Sequence, residues 1–341
     1  MSQPDRSKIS LLLVLCLLLA GCSRQDSSVH LAGLTMGTTW SVQLSGLPDD
    51  LDQESVRANI ERLLEQVNNE MSTWREDSVI SRFNRAPAGT ALVIPEGFAR
   101  VLSAALALAE ATDGAYDPTV GPLVNLWGFG PDPVRTTAPT ATEIAKAQAR
   151  VGYRQIEFNP ARRQLVQPGS VYLDLSSIAK GFAVDLIAED LLERGVEDFL
   201  VDIGGDLRVN GKRSDGRPWR VAIERAGSSL GEVERIIEPA NAAVATSGSY
   251  RQFFEAEGRH YSHTIDPRSG QPVNHAVVAV TVVAADAMTA DGLATALGIL
   301  DPDTGWQFAV EGNLEVSWQL KGKESLETRL SPALASRQDS E

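Results

Sequence analysis

Cysteine and histidine are scarce in this chain: 2 and 4 among 341 residues. Two thiols cannot build a disulfide framework, and they cannot form a structural zinc site. Basic residues are also in deficit, with 31 Lys and Arg against 45 Asp and Glu, a formal charge of -14. General nucleic-acid binding is excluded, because neutralising a phosphate backbone needs a basic face. No apolar run approaches the roughly 20 residues that a spanning helix needs. No G-x-G-x-x-G opens a helix after a strand, and Walker A, H-E-x-x-H and G-x-S-x-G sequences are missing too. What is present is ordinary globular composition, 43% hydrophobic and 22% charged, enough for a sizeable core. An acidic chain of this kind would need a cation to handle phosphates.

The N-terminus reads as an export leader. Arg6 and Lys8 precede an apolar stretch, residues 9–20, too short to span a bilayer but fitting a secretory core. The following Leu19-Ala20-Gly21-Cys22 resembles the bacterial lipoprotein box. Residues 1–21 are therefore expected to be removed, with Cys22 lipidated and residues 22–30 forming a polar tether. Cys16 leaves with the leader, so the folded part carries no free thiol. Removing Asp5, Arg6 and Lys8 brings the mature charge to about -15. The expected location is the periplasmic side of the inner membrane, with the outer membrane as the alternative.

Apolar periodicity predicts helices over residues 51–71, 95–111, 140–150, 177–194 and 286–300. The first carries Val56, Ile60, Leu63, Leu64 and Val67, the second opens at Pro95, and the third has a Thr140/Glu143 capping box. Gly195 stops the fourth and Asp286 caps the fifth. Strands are expected at 34–46, 155–158, 164–166, 171–173, 199–203, 207–209, 219–224, 235–238, 242–245, 261–265 and 277–283. Helices and hairpin-like strand runs alternate irregularly, which predicts a single α+β unit over residues 31–332 with a mixed sheet flanked by helices. Residues 131–139 read as a loop and 333–341 as a flexible tail.

Four islands carry chemistry. In Asp174-Leu-Ser-Ser177-Ile-Ala-Lys180-Gly181 a strand runs into a helix, where Asp174 or Ser176 could cap and free N–H groups favour an anion. Lys180 opposes the helix dipole there unless an anion or carboxylate compensates it. A capped helix with a solvated lysine explains the same residues. Asp291 and Thr295 share one face of a helix of small apolar residues, a pairing that suits a hard cation such as Mg²⁺; an ordinary ion pair at Asp291 is the alternative. Asp202-Ile-Gly-Gly205-Asp206 offers either a close backbone approach to a ligand or a tight turn. His263, beside the turn-forming Asp266-Pro267, is a candidate base, although a lone His is more often structural.

In combination and order these islands resemble the FAD:protein FMN transferase (ApbE) family across the whole mature chain. The resemblance also takes in Met36-Gly-Thr-Thr39, Met71-Ser-Thr-Trp74, Ser81-Arg-Phe-Asn84, residues 112–130, Thr246-Ser-Gly-Ser-Tyr250 and His263-Thr-Ile-Asp-Pro267. It implies an ApbE-like, T-fold-like α+β unit with FAD in a deep cleft beside Mg²⁺. The implied reaction attaches FMN through a phosphodiester to a Thr or Ser of an acceptor protein, typically a membrane redox-complex subunit, and releases AMP. By motif position Met36, Trp74, Ala115, Tyr116, Asp117, Asp174, Lys180, His263 and Ile265 would contact FAD. Ser177, Asp291 and Thr295 would hold Mg²⁺, and His263 would deprotonate the acceptor hydroxyl. Relatives commonly have Tyr at position 74 and often Asp at position 294, where this chain has Trp and Ala. The competing readings are an FAD pyrophosphatase yielding FMN and AMP, and a non-catalytic flavin-binding lipoprotein.

Overall fold

The computed structural model describes residues 28–132, 135, 137–228, 231–250, 253–256 and 258–338. The leader, Cys22 and the first part of the tether lie outside the described residues. Among the described residues no helix is long and apolar enough to cross a membrane.

Eight strands make the main sheet: β1 (Val29–Thr35), β2 (Thr38–Leu44), β3 (Phe199–Ile203), β4 (Asp206–Asn210), β5 (Ala243–Gly248), β6 (Val277–Ala284), β7 (Glu315–Lys321) and β8 (Leu326–Leu330). They lie side by side in chain order. Every pairing is antiparallel, so the α+β class holds while the sheet expected to be mixed is an antiparallel meander. The reason is connectivity: long insertions leave the sheet but return the chain to the neighbouring position in the opposite direction.

The largest insertion joins β2 to β3. It holds α1 (Gln53–Met71), α2 (Val79–Arg85), α3 (Glu96–Ala111), α4 (Gly121–Leu126), α5 (Ala141–Gln148) and α6 (Ala179–Glu193), with a small three-stranded sheet. The α5 capping box forms as expected, Thr140 accepting from the Glu143 N–H while Glu143 accepts from the Thr140 N–H. Residues 171–173 form no strand. Both main-chain groups of Leu173 are instead met by the Asn84 side chain, at 2.7 and 2.9 Å, so an amide group does what a neighbouring strand would do.

Between β6 and β7 run α7 (Ala287–Ile299) and α8 (Pro302–Glu311), and α9 (Pro332–Gln338) follows β8. The chain beyond residue 300 therefore holds two helices and two strands that periodicity did not predict, and Asp286 caps a helix that is not the last. Residues 333–338, expected to be a flexible tail, are helical, because Leu334 is fully buried against Trp219 and Val244. Positions 339–341 lie outside the described residues.

The core sits between the sheet and the pair α6 and α7. Val42, Leu44, Phe199 and Val201 face α1 and α6, and Val280, Val282 and Trp318 face α7. Burial of this layer from water is the main stabilising contribution. It leaves α6 and α7 fixed side by side, with the first turn of α6 against the first turn of α7.

Candidate active site

Two tight hairpins bring backbone toward one end of the sheet. Thr35 pairs with Thr38 and Ile203 with Asp206, which leaves two-residue turns. The central residues all have positive φ: Met36 49° and Gly37 72° in one turn, Gly204 62° and Gly205 96° in the other. Such turns match the right-handed twist of the strands, and a methionine at that φ is uncommon. The paired glycines thus make a tight turn, the plainer of the two readings open from sequence, yet Gly204 also faces the cleft described next.

A cleft of about 1070 Å³ opens between the first hairpin, α1, α6, α7 and the segment 263–267. Every residue expected to bind FAD or the cation lines it except Ala115. The left-handed pair Asp113 and Gly114 tucks Ala115 fully into the core beside Ala245 and Ala290, and the next two residues reach the cleft instead. Ile265 lines the wall while packing on Leu123, Trp127 and Ile144. Trp74 and Leu34 also line the cleft and are 69% and 83% exposed, which marks its mouth.

The polar wall is built from both helices. Gly181 could not carry a side chain, since a Cβ there would lie 2.2 Å from the Ala287 carbonyl oxygen. This close approach lets Asp291 of α7 accept the Gly181 N–H at 3.0 Å. The helix start expected to be capped by Asp174 or Ser176 is thus capped from the neighbouring helix. Asp174 accepts the Ser176 N–H at 2.9 Å, a turn just before α6 rather than a cap, and its own N–H donates to the Pro118 carbonyl. The start of α7 is held in turn by fully buried Asp185, which accepts the N–H groups of Ala287 and Met288 at 2.9 and 2.8 Å and pairs with Arg208. Burial raises the Asp185 pKa despite those donors.

Lys180 pairs with Asp206 of β4 and stands 3.5 Å from Asp291 Oδ1. Burial disfavours its ammonium, but the two carboxylates outweigh that and its pKa is raised. Burial, and then the charge of Asp291, push Asp206 above the usual carboxylate range. The dipole conflict noticed at Lys180 is therefore resolved by carboxylates. Asp206 received no role from sequence; its partner lies 26 residues away and no local pattern announces the pair.

Ser177 Oγ donates to the Tyr116 hydroxyl at 3.0 Å. Burial raises the Tyr116 pKa, so the phenol stays neutral. Asp117 spends its carboxylate on its own loop, accepting from the Thr119 N–H and hydroxyl and from the Tyr153 N–H. His263 lies half-buried in the cleft lining, edge-on to Phe129 with ring centroids 6.2 Å apart.

Ser177 and Thr295 hydroxyls and the Asp291 carboxylate are all oxygen donors on the cleft lining, and Asp291 Oδ1 stands 3.5 Å from Lys180. Among the described residues no three His, Cys, Asp or Glu side chains gather into a cage. This set fits a hard cation that completes its shell with water and phosphate oxygens. Ala294 is buried in apolar contact, so position 294 supplies no ligand.

An α+β protein whose deep cleft brings a lysine, two hydroxyls and the Asp291 carboxylate onto one wall is suited to a phosphate-bearing ligand. The chain belongs to the ApbE family, whose sequence profile matches residues 36–318. The FAD:protein FMN transferase of Vibrio cholerae is 43% identical over 88% of this chain and 90% of its own length. Among solved structures, the flavin transferase ApbE from Vibrio cholerae matches with a TM-score of 0.85 and 40% identity, over 91% of this chain and 99% of that one. The apo flavinyl transferase ApbE of Pseudomonas stutzeri matches with a TM-score of 0.85 and 36% identity, over 92% and 98%.

Proposed function

We propose that this chain is an FAD:protein FMN transferase that works in this cleft on an acceptor protein. The observation that carries the reading is the convergence of Lys180, Ser177, Asp291, Thr295 and His263, drawn from three separate stretches of sequence, on a single cavity. In the reaction an acceptor Thr or Ser oxygen bonds to the FMN phosphorus, the pyrophosphate P–O bond breaks, and AMP leaves with the bridging oxygen. His263 takes the hydroxyl proton as the bond forms. Lys180 and the cleft-facing start of α6 offset phosphate charge that the acidic surface cannot. Asp291, Ser177 and Thr295 would hold Mg²⁺, which when bound stabilises charge on phosphoryl oxygens. Met36, Trp74, Asp174 and Ile265 position the flavin and adenine ends.

The same reading makes the protein a lipoprotein anchored through Cys22 on the periplasmic side of the inner membrane, where membrane redox-complex subunits would be its acceptors. Its support is the leader pattern at residues 6–22, which lies just ahead of the first described strand, Val29–Thr35.

The test incubates the chain with FAD, Mg²⁺ and an acceptor bearing a Thr-containing flavinylation motif, followed by intact mass spectrometry and assay of AMP and free FMN. An acceptor heavier by one FMN, and unmodified after its Thr→Ala change, is the expected result. Equal AMP and free FMN with an unmodified acceptor would overturn transfer in favour of hydrolysis. No AMP at all would favour a flavin carrier.

A further inference from the structure

Lys180 has two carboxylate neighbours, and they are not equivalent. Asp206 contacts the ammonium directly, whereas Asp291 Oδ1 stands 3.5 Å away, beyond the 2.7–2.9 Å of a strong charge-assisted hydrogen bond. Asp206 is 2% exposed and does not line the cleft; Asp291 does. Asp291 Oδ2 is already committed to the Gly181 N–H. Its Oδ1 is the oxygen free for a cation, and the lysine is the group placed to neutralise it first.

We propose that Asp206 is a positioning residue that holds the Lys180 ammonium back on the β4 side, so that Asp291 Oδ1 stays open to the divalent cation. This rests on the cation reading of Asp291. Several features support it. Asp206 sits on a strand of the main sheet, immediately after the two-glycine turn, and is therefore fixed in place. Lys180 lies in the first turn of α6, so its side chain can swing while its backbone cannot. With the Asp206 carboxylate removed, the carboxylate that still stands within 4 Å of Lys180 among the described residues is Asp291. A lysine drawn onto Oδ1 would compete directly with a metal ion.

The experiment measures Mn²⁺ affinity by EPR titration on the full chain in detergent, without FAD and without turnover. Asp206→Asn is expected to weaken Mn²⁺ binding by roughly tenfold, the scale of one charge-assisted hydrogen bond redirected onto the ligand. Asp206→Glu, which keeps the charge, should stay within about threefold of the parent. In a Lys180→Gln background, where no ammonium can compete, Asp206→Asn should lose its effect. Thermal melts of each variant accompany the titrations. Unchanged affinity in Asp206→Asn overturns the proposal. So does the same loss with and without Lys180, since Asp206 would then act through its own field. If Asp206→Asn does not fold, loss of affinity in the Asp206→Glu variant, with a native melt, overturns it instead. No Mn²⁺ binding by the parent chain would bring down the cation reading itself, and this proposal with it.

Discussion

The floor and the mouth of the cleft are built on opposite principles. At the floor, α6 and α7 touch backbone to backbone at Gly181 and Ala287, and the carboxylates of Asp185 and Asp291 are fixed by main-chain N–H groups. At the mouth, a Cβ added to Gly37 would meet nothing within 4 Å, and Leu34 and Trp74 are 83% and 69% exposed. The floor is over-determined and the mouth is open. Chemistry that depends on placing oxygens within fractions of an ångström belongs on the first, and contact with a large, partly flexible ligand belongs on the second.

Substitutions can break this contrast, and the largest effect is expected at Asp291. Asp291→Ala should slow cation-dependent transfer by at least roughly 10²-fold, as loss of a charge-stabilising group typically does. Asp291→Asn, which keeps an acceptor for the Gly181 N–H, should be nearly as slow while melting like the parent chain. Turnover near normal in both would remove Asp291 from the chemistry. Next comes Gly181→Ala. Its methyl meets a main-chain carbonyl that cannot rotate away, so a loss of about 2–3 kcal/mol is expected by denaturant unfolding. A neutral result would mean that the floor is softer than its packing indicates.

At the mouth, Trp74→Ala should raise the KM for FAD by roughly tenfold through lost stacking, with kcat and melting temperature little changed. A fall in kcat with constant KM would instead place Trp74 among the parts that act on the transition state. The smallest effect is expected at Glu70, buried at the end of α1, the helix leading to Trp74. Burial raises its pKa above the ordinary 4.5. A raised folded value means that the native state holds the proton more tightly. Stability from this group is therefore full below about pH 4.5 and is lost as pH rises through the folded value. Glu70→Gln should accordingly gain at most about 1 kcal/mol at pH 8 and nothing near pH 4. An equal gain at both pH values would show that charge is not the cause.

Local signals were the legible ones. The capping box at Thr140 and the strands Gln164–Val166 and Phe199–Ile203 lie where periodicity puts them, because each depends on neighbours a few residues away. The stretch 171–173 departs from its strand pattern because its partner is the side chain of Asn84, which no such pattern encodes. The segment after Leu300 does carry local signals for its helix: Asp301 caps Pro302–Glu311, with the proline in its first turn. At the site, the residues named by motif order line one cleft, but Ala115 turns inward and Asp206 carries no local signal. Both depend on tertiary packing, the first on a left-handed turn and the second on a pair formed between a helix and a strand.

The order of strands in the main sheet also constrains how the protein assembles. β2 pairs on one side with β1 and on the other with β3, whose residues 199–203 follow only after some 150 intervening positions. A chain growing from its N-terminus must leave that strand edge open until the whole helical insertion has been made. Contacts of such sequence separation form slowly and late. The hairpin that holds Met36 over the cleft is therefore fastened near the end of folding, so the cleft takes its final shape only when the rest of the sheet is in place.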